Sequence, residues 1–299
     1  MPTDAATPTK MTYRFLGNSG LLVSKMALGS WMTVDDKHTA EAWYEMMEIA
    51  FKAGVNFYDN AEVYGNGQAE EIMGTAIQRG IADGVWSRED LVVTTKVFMG
   101  AKGWEESGPN AQGISRKHIV EGAKASLRRM QLNYVDVIFC HRPEPYTPIE
   151  ETVRTMNYVI QQGWAFYWGT SEWNATDIVE ACDVADRLGL IHPIVEQAQY
   201  SLMERSKVEF EFAPLYKKYK LGLTTWAHSP TAFSRANTVA AWPKARALPI
   251  PSLRPCSVPR SRTAWRRLTS SRSSRTNWAA RWRSSLWPGA SPTRTCRLC

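Results

Sequence analysis

The sequence lacks a cysteine framework. Its five cysteines, Cys140, Cys182, Cys256, Cys296 and Cys299, are odd in number, irregularly spaced and free of any CxxC pair. Neither a disulfide scaffold nor a zinc site is indicated, and a reduced, cytoplasmic protein is expected. No apolar run is long enough to span a bilayer, and the N-terminal "MPTDAATPTK" lacks the apolar segment of a secretory signal. No Gly-x-Gly-x-x-Gly turn follows an early strand, which removes the usual sign of a Rossmann sheet. Acidic residues are missing from one part of the chain. None of the 29 Asp and Glu lies beyond Trp226, whereas 14 of the 36 Lys and Arg do. The net charge of +7 therefore averages a mildly acidic body and a strongly basic segment, and the segment needs its own explanation.

The body alternates strand and helix signals. "VNFYD" precedes a helical pattern over 68–79, and "LVVTTKVF" precedes the helix "SRKHIVEGAKASLRRM", which Ser115 can cap. "YVDVIFC" precedes a helix over 148–161 with Pro in its first turn, and "AFYWGTS" precedes 174–188. "PIVEQ" precedes 207–218, and "GLTTW" comes last. With "MALGS" and a helix over 39–52 at the front, this makes seven strands, six of them followed by a helix. Near-continuous apolar strands between amphipathic helices imply a parallel sheet covered on both faces. The expected fold is α/β, a (β/α)8 TIM barrel, with "YRFLGNSGLLVSK" as an N-terminal β-hairpin across its floor. Its eighth strand is not recognisable. The expected organisation is a disordered 1–10, a barrel over 11–226 and an aberrant Arg/Ser/Trp-rich tail over 227–299.

Active-site groups of such a barrel sit at the C-terminal ends of its strands. Those ends carry Ser30 and Trp31, Asp59, Lys96, the run Cys140-His141-Arg142, Ser171 and Glu172, Gln197, and Trp226; Tyr64 follows Asp59 by five residues. Asp59 alone reads equally well as a helix cap, and Tyr64 alone as a packing residue. Lys96, closing an apolar strand, is harder to explain without a partner. Together, Asp, Tyr, Lys and His form an acid–base set in which an ammonium lowers the tyrosine pKa and a carboxylate fixes the ammonium. His118 is expected on a helix surface, and Trp164, Trp168 and Trp173 as packing residues.

The segments "YDNAEVYGNGQAEEIMG", "LVVTTK", "PIVEQAQY" and the long run from "ISRKHIVEGAKASLRRM" to "YWGTSEW" resemble the aldo-keto reductase superfamily. Within it they resemble the branch containing the β subunits of voltage-gated potassium channels, and the likeness extends from about Tyr13 to Trp226. The resemblance implies NADPH-dependent reduction of a small carbonyl substrate. Tyr64 would be the general acid, Lys96 and Asp59 would tune it, and His141 would orient the carbonyl. Ser30, Trp31, Asp59, Ser171, Glu172, Gln197 and Trp226 fall at cofactor-contacting positions. Channel β subunits carry Asn in place of His141, which favours an enzyme; the alternative is a regulatory subunit with a membrane channel partner and NADPH as redox sensor. The resemblance also implies a homo-oligomer.

After Trp226 the family continues with Ser-Pro-Leu and a Gly-rich segment ending in "GKY", whereas this chain has "AHSPTAFSRANTVAAWPKARAL". A one-nucleotide slip after the Trp226 codon accounts for it. Taking the last base of each tail codon with the first two of the next allows S/G-P-L-A-N-G-L-L-T-G-K-Y from Ala227. Later stretches allow E-L-G-C-T-M-A-Q-L and L-A-W-C-L-A-N-P-N-V-S-T-V. These segments are family-like and in the right order. The expected consequence is impaired cofactor binding and stability, since phosphate- and adenosine-gripping residues and the eighth strand are not encoded. A nucleic-acid-binding arm is the other reading of the Arg-rich tail; the out-of-frame reading explains the same residues without it.

Overall fold

The computed structural model describes residues 10–31, 39–102 and 106–226. It opens with β1 (Tyr13–Phe15) and β2 (Leu22–Ser24), an antiparallel hairpin whose turn is held by Ser19 Oγ donating to Leu16 O at 2.6 Å. Seven further strands follow: β3 (Ala27–Gly29), β4 (Phe57–Asp59), β5 (Val92–Val97), β6 (Val135–Cys140), β7 (Ala165–Ser171), β8 (Val195–Gln199) and β9 (Gly222–Trp226). They form one parallel sheet in sequential order, each paired with its chain neighbour. Six helices separate them: α1 (Ala40–Lys52), α2 (Gln68–Ala82), α3 (Arg116–Met130), α4 (Ile149–Gln161), α5 (Ala175–Leu188) and α6 (Ala213–Tyr219). Strictly sequential parallel strands with intervening helices curl into a half-barrel, an incomplete (β/α)8 barrel. The expected disordered start and the tail after Trp226 lie outside the described residues, apart from Lys10.

Local sequence explains most element ends. Thr39 accepts from Ala42 N, Ser115 from His118 N and Asn174 from Asp177 N, so three helices begin on capping side chains. Pro148 is the cap of α4 rather than its first helical residue. The expected helix over 207–218 is instead a π-turn (Lys207–Glu211) followed by α6. Pro214 has no N–H to continue the earlier ladder but suits the first turn of a new helix.

Residue alternation along the strands divides the core into two layers. Tyr58, Val93, Ile138 and Cys140 face the helices with Met73, Ile119 and Met156. Phe57, Val92, Val137, Phe139 and Val195 lie on the other side, with Leu16 and Val23 of the hairpin. All six residues of β5 and of β6 are buried, as strands covered on both faces require. The hairpin closes the floor, where the strands begin. Arg14 donates to Leu223 O, Ser24 N donates to Asn56 Oδ1 at 2.7 Å, and a Cβ on Gly17 would stand 1.9 Å from Ile194 O. Gly17 also has φ +60, so both space and conformation call for glycine.

Helices α2 and α3 meet at Gly74, where an added Cβ would lie 2.3 Å from Met130 O. Backbone rather than a movable side chain stands in the way, so Gly74→Ala is expected to lower unfolding stability by roughly 1–3 kcal/mol. Urea denaturation followed by far-UV circular dichroism checks this; an unchanged midpoint would show that the two helices can separate at no cost.

Candidate active site

Four side chains meet where β4, β5 and β6 end. Lys96, on β5, is fully buried. Its Nζ donates to Asp59 Oδ2 at 2.6 Å, Asn60 O at 2.7 Å and Tyr64 OH at 3.1 Å. The three donors of an ammonium are thus all used. Asp59, last residue of β4, also accepts from Thr94 Oγ1 at 2.6 Å and Gln197 Nε2 at 3.3 Å through its other oxygen. Tyr64 begins a single 3-10 turn (Tyr64–Gly67) in which Gly65, Asn66 and Gly67 all have positive φ. That left-handed run returns the chain sharply towards α2, leaving Tyr64 beside the lysine.

Burial raises the Tyr64 pKa, and the Lys96 ammonium opposes it. The lowering expected from the sequence is real as a contribution but smaller than the desolvation of the phenolate. For Lys96, burial pushes the pKa down, while Asp59 and Tyr64 reverse it to a net rise. His141 stacks edge-on to Tyr64 with ring centres 5.8 Å apart. Burial, then Lys96 and Arg142, hold its pKa well below the ordinary 6.5, so the imidazole is neutral at pH 7. Its Nδ1 is buried with no partner among the described residues.

The remaining predicted residues ring this centre. Ser30 Oγ donates to Asp59 O at 3.1 Å. Trp31 is 59% exposed, and its ring stands edge-on to Trp226 at 6.2 Å and tilted to Tyr64 at 6.5 Å. Ser171 Oγ accepts from Arg142 Nη1 at 3.2 Å. Glu172 has φ +59, and its carboxylate accepts from Gln199 N at 2.5 Å, Trp226 Nε1 at 3.1 Å and Lys207 Nζ at 3.1 Å. It thereby ties the ends of β7, β8 and β9 together.

Some contributors escaped the sequence reading. Arg142 and Thr94 were visible at or near strand ends but lacked a role. Glu62 was not singled out, although it lies two residues before Tyr64. Its buried Oε1 accepts from Phe98 N at 2.7 Å and Gly100 N at 2.8 Å and meets His118 Nε2 at 3.1 Å. His118 is accordingly buried and not on the helix surface, because it reaches inward to this carboxylate. Trp168 and Trp173 are buried packing residues and Trp164 packs at the margin of the core, as expected. Among the described residues no cluster of His, Cys, Asp and Glu could hold a metal ion, and no helix is long and apolar enough to cross a membrane.

Comparison with known proteins identifies the family. The chain matches the model of the Aldo/keto reductase family over residues 25–240, continuing past Trp226. It is 54% identical over 217 residues to a "Probable voltage-gated potassium channel subunit beta" of Arabidopsis thaliana, and equally to one of Oryza sativa subsp. japonica. In each case the alignment covers 73% of this chain and 63% of the relative, so the chain spans less than two thirds of those proteins' length. With its sequential parallel strands and this family match, the chain belongs to the aldo/keto reductase family, on the branch resembling potassium-channel β subunits.

Proposed function

We propose that the site reduces aldehydes or ketones with NADPH. One observation carries the reading: a buried ammonium is shared between Asp59 and the Tyr64 hydroxyl, beside a neutral His141. A phenol whose pKa is raised stays protonated at neutral pH and can donate to a carbonyl oxygen. When that oxygen gains negative charge, Tyr64 passes its proton to it, and the Lys96 ammonium stabilises the phenolate left behind. Asp59 keeps Lys96 charged despite its burial. His141, neutral, offers an N–H to the same oxygen without competing as an acid.

The residues present suit a nicotinamide. Trp226 offers a flat ring, Ser171 a hydroxyl, and Gln197 a carboxamide whose oxygen has no donor among the described residues. Ser30, Trp31 and Asp59 would border it, and Glu172 would hold Trp226 in place. When bound, NADPH supplies the hydride. A cytoplasmic enzyme acting on a small carbonyl compound is the resulting picture.

The names of the plant relatives support a second reading, a regulatory subunit that assembles with itself and a membrane channel. His141 favours the enzyme, and co-purification with a channel complex favours the subunit. We propose further that residues 227–299 are the product of a shifted reading frame appended to a barrel over 11–226. Cofactor affinity and stability would both be impaired, since a barrel short of its last strand leaves sheet edges open.

Tyr64→Phe is expected to cut aldehyde reduction by roughly 10²–10⁴-fold while leaving NADPH-fluorescence binding in place. Retained turnover would remove Tyr64 from the acid's role. Heteronuclear NMR of His141 is expected to show a neutral ring from pH 6 to 8. Lys96→Met should raise its pKa, because a neighbouring positive charge that opposes protonation is gone. Restoring the frame after the Trp226 codon is expected to tighten NADPH binding and raise the melting temperature relative to this chain. Equal values, or a native protein whose intact mass matches the present tail, would reject the shift.

A further inference from the structure

Two cations stand beside Tyr64 and His141, and among the described residues only one of them has a carboxylate partner. Lys96 has Asp59. Arg142, directly after His141, has no carboxylate within ion-pair distance among the described residues. One guanidinium nitrogen, Nη1, donates to His141 O at 2.5 Å and to Ser171 Oγ at 3.2 Å. Among the described residues, Nε and Nη2 have no hydrogen-bond acceptor. The guanidinium carbon stands 5.9 Å from the Trp226 ring centre, over its face, which steadies the group without neutralising it. Burial lowers the Arg142 pKa, and Glu172 only partly offsets this from a distance. Glu172 itself is occupied by Gln199, Trp226 and Lys207.

A half-buried guanidinium with two donors unmet among the described residues, beside the pair proposed to bind the carbonyl, is placed to receive a ligand. Arg142 is the lesser electrostatic partner of the acid–base set: Tyr64 hydrogen-bonds Lys96, and burial and Lys96 act on His141 ahead of Arg142. Arginine's planar fork matches a group with two coplanar anionic oxygens. We infer that Arg142 recognises a carboxylate carried by the carbonyl substrate, so that the preferred substrates are oxo-acids. The inference rests on the reductase reading for where the carbonyl sits, while the recognition itself is a binding property that needs no cofactor. Phosphate-bearing carbonyls share the negative charge and can also present two oxygens to the fork, so they are the competing ligand that the test includes.

The test is a direct binding titration of this chain, without NADPH, by ligand-observed NMR. 4-Carboxybenzaldehyde is compared with the uncharged methyl 4-formylbenzoate. A charged hydrogen bond to the fork should favour the carboxylate by about tenfold or more, and added salt should shrink that difference. Arg142→Gln should erase the difference, and Arg142→Lys, which keeps the charge but not the fork, should retain only part of it. Equal binding of the two compounds by the unaltered chain, no binding of the carboxylate, or an Arg142→Gln loss falling equally on both would overturn the inference. So would a preference for glyceraldehyde 3-phosphate over the carboxylate. Tyr64→Phe separates the two proposals: it should abolish reduction yet leave the carboxylate preference in place, and if the unaltered chain never reduces an aldehyde but keeps the preference, only the reductase reading fails.

Discussion

The ion pair between Lys96 and Asp59 is the constraint on which the site depends. An ammonium with no exposed surface is tolerable only when its charge and its donors are all answered. Asp59, the Asn60 carbonyl and the Tyr64 hydroxyl answer them, and all three come from β4 or the loop after it. Removing either charge from a buried pair commonly costs about 3–5 kcal/mol. The loop bearing Tyr64 is therefore fastened to β5 by the same ammonium that meets its hydroxyl. On the proposed function, stability and chemistry would share the same bonds.

The fold was largely legible because its two periods alternate so regularly. Strands such as "VDVIFC" are buried on both faces, and the helices between them start on Thr39, Ser115 and Asn174. Where the reading slipped, a local event intervened. The segment after β8 broke into a π-turn and a short helix at Pro214, a conflict that apolar periodicity does not register. Pro148 lay one residue outside its helix, within the usual uncertainty of helix ends.

The site was legible as a set of strand-end residues but not as a set of energies. Position along the strands placed Asp59, Lys96 and His141, and proximity in sequence added Tyr64. The net direction of the tyrosine pKa was out of reach, because it weighs burial against one ammonium and burial has no signature in a motif. Glu62 was passed over, and His118 was placed on the helix surface, for a similar reason. They are 56 residues apart and meet only once α3 packs beside β5. Arg142 stood in plain view, but that no carboxylate among the described residues pairs with it appears only when its neighbours are known.

The Glu62 carboxylate also bears on how this scaffold can diversify. One oxygen gathers amides from the loop after β5 and a ring from α3, while the residue itself sits in the loop that carries Tyr64. Two of the loops around the mouth are thus tethered to a single atom. An insertion between Glu62 and Tyr64, or between Phe98 and Gly100, would strain that tether and shift the Tyr64 hydroxyl, whereas one placed beyond Gly100 would leave it intact. Loop length is therefore freest to drift in the later part of the segment after β5, away from the atom that holds the Tyr64 loop.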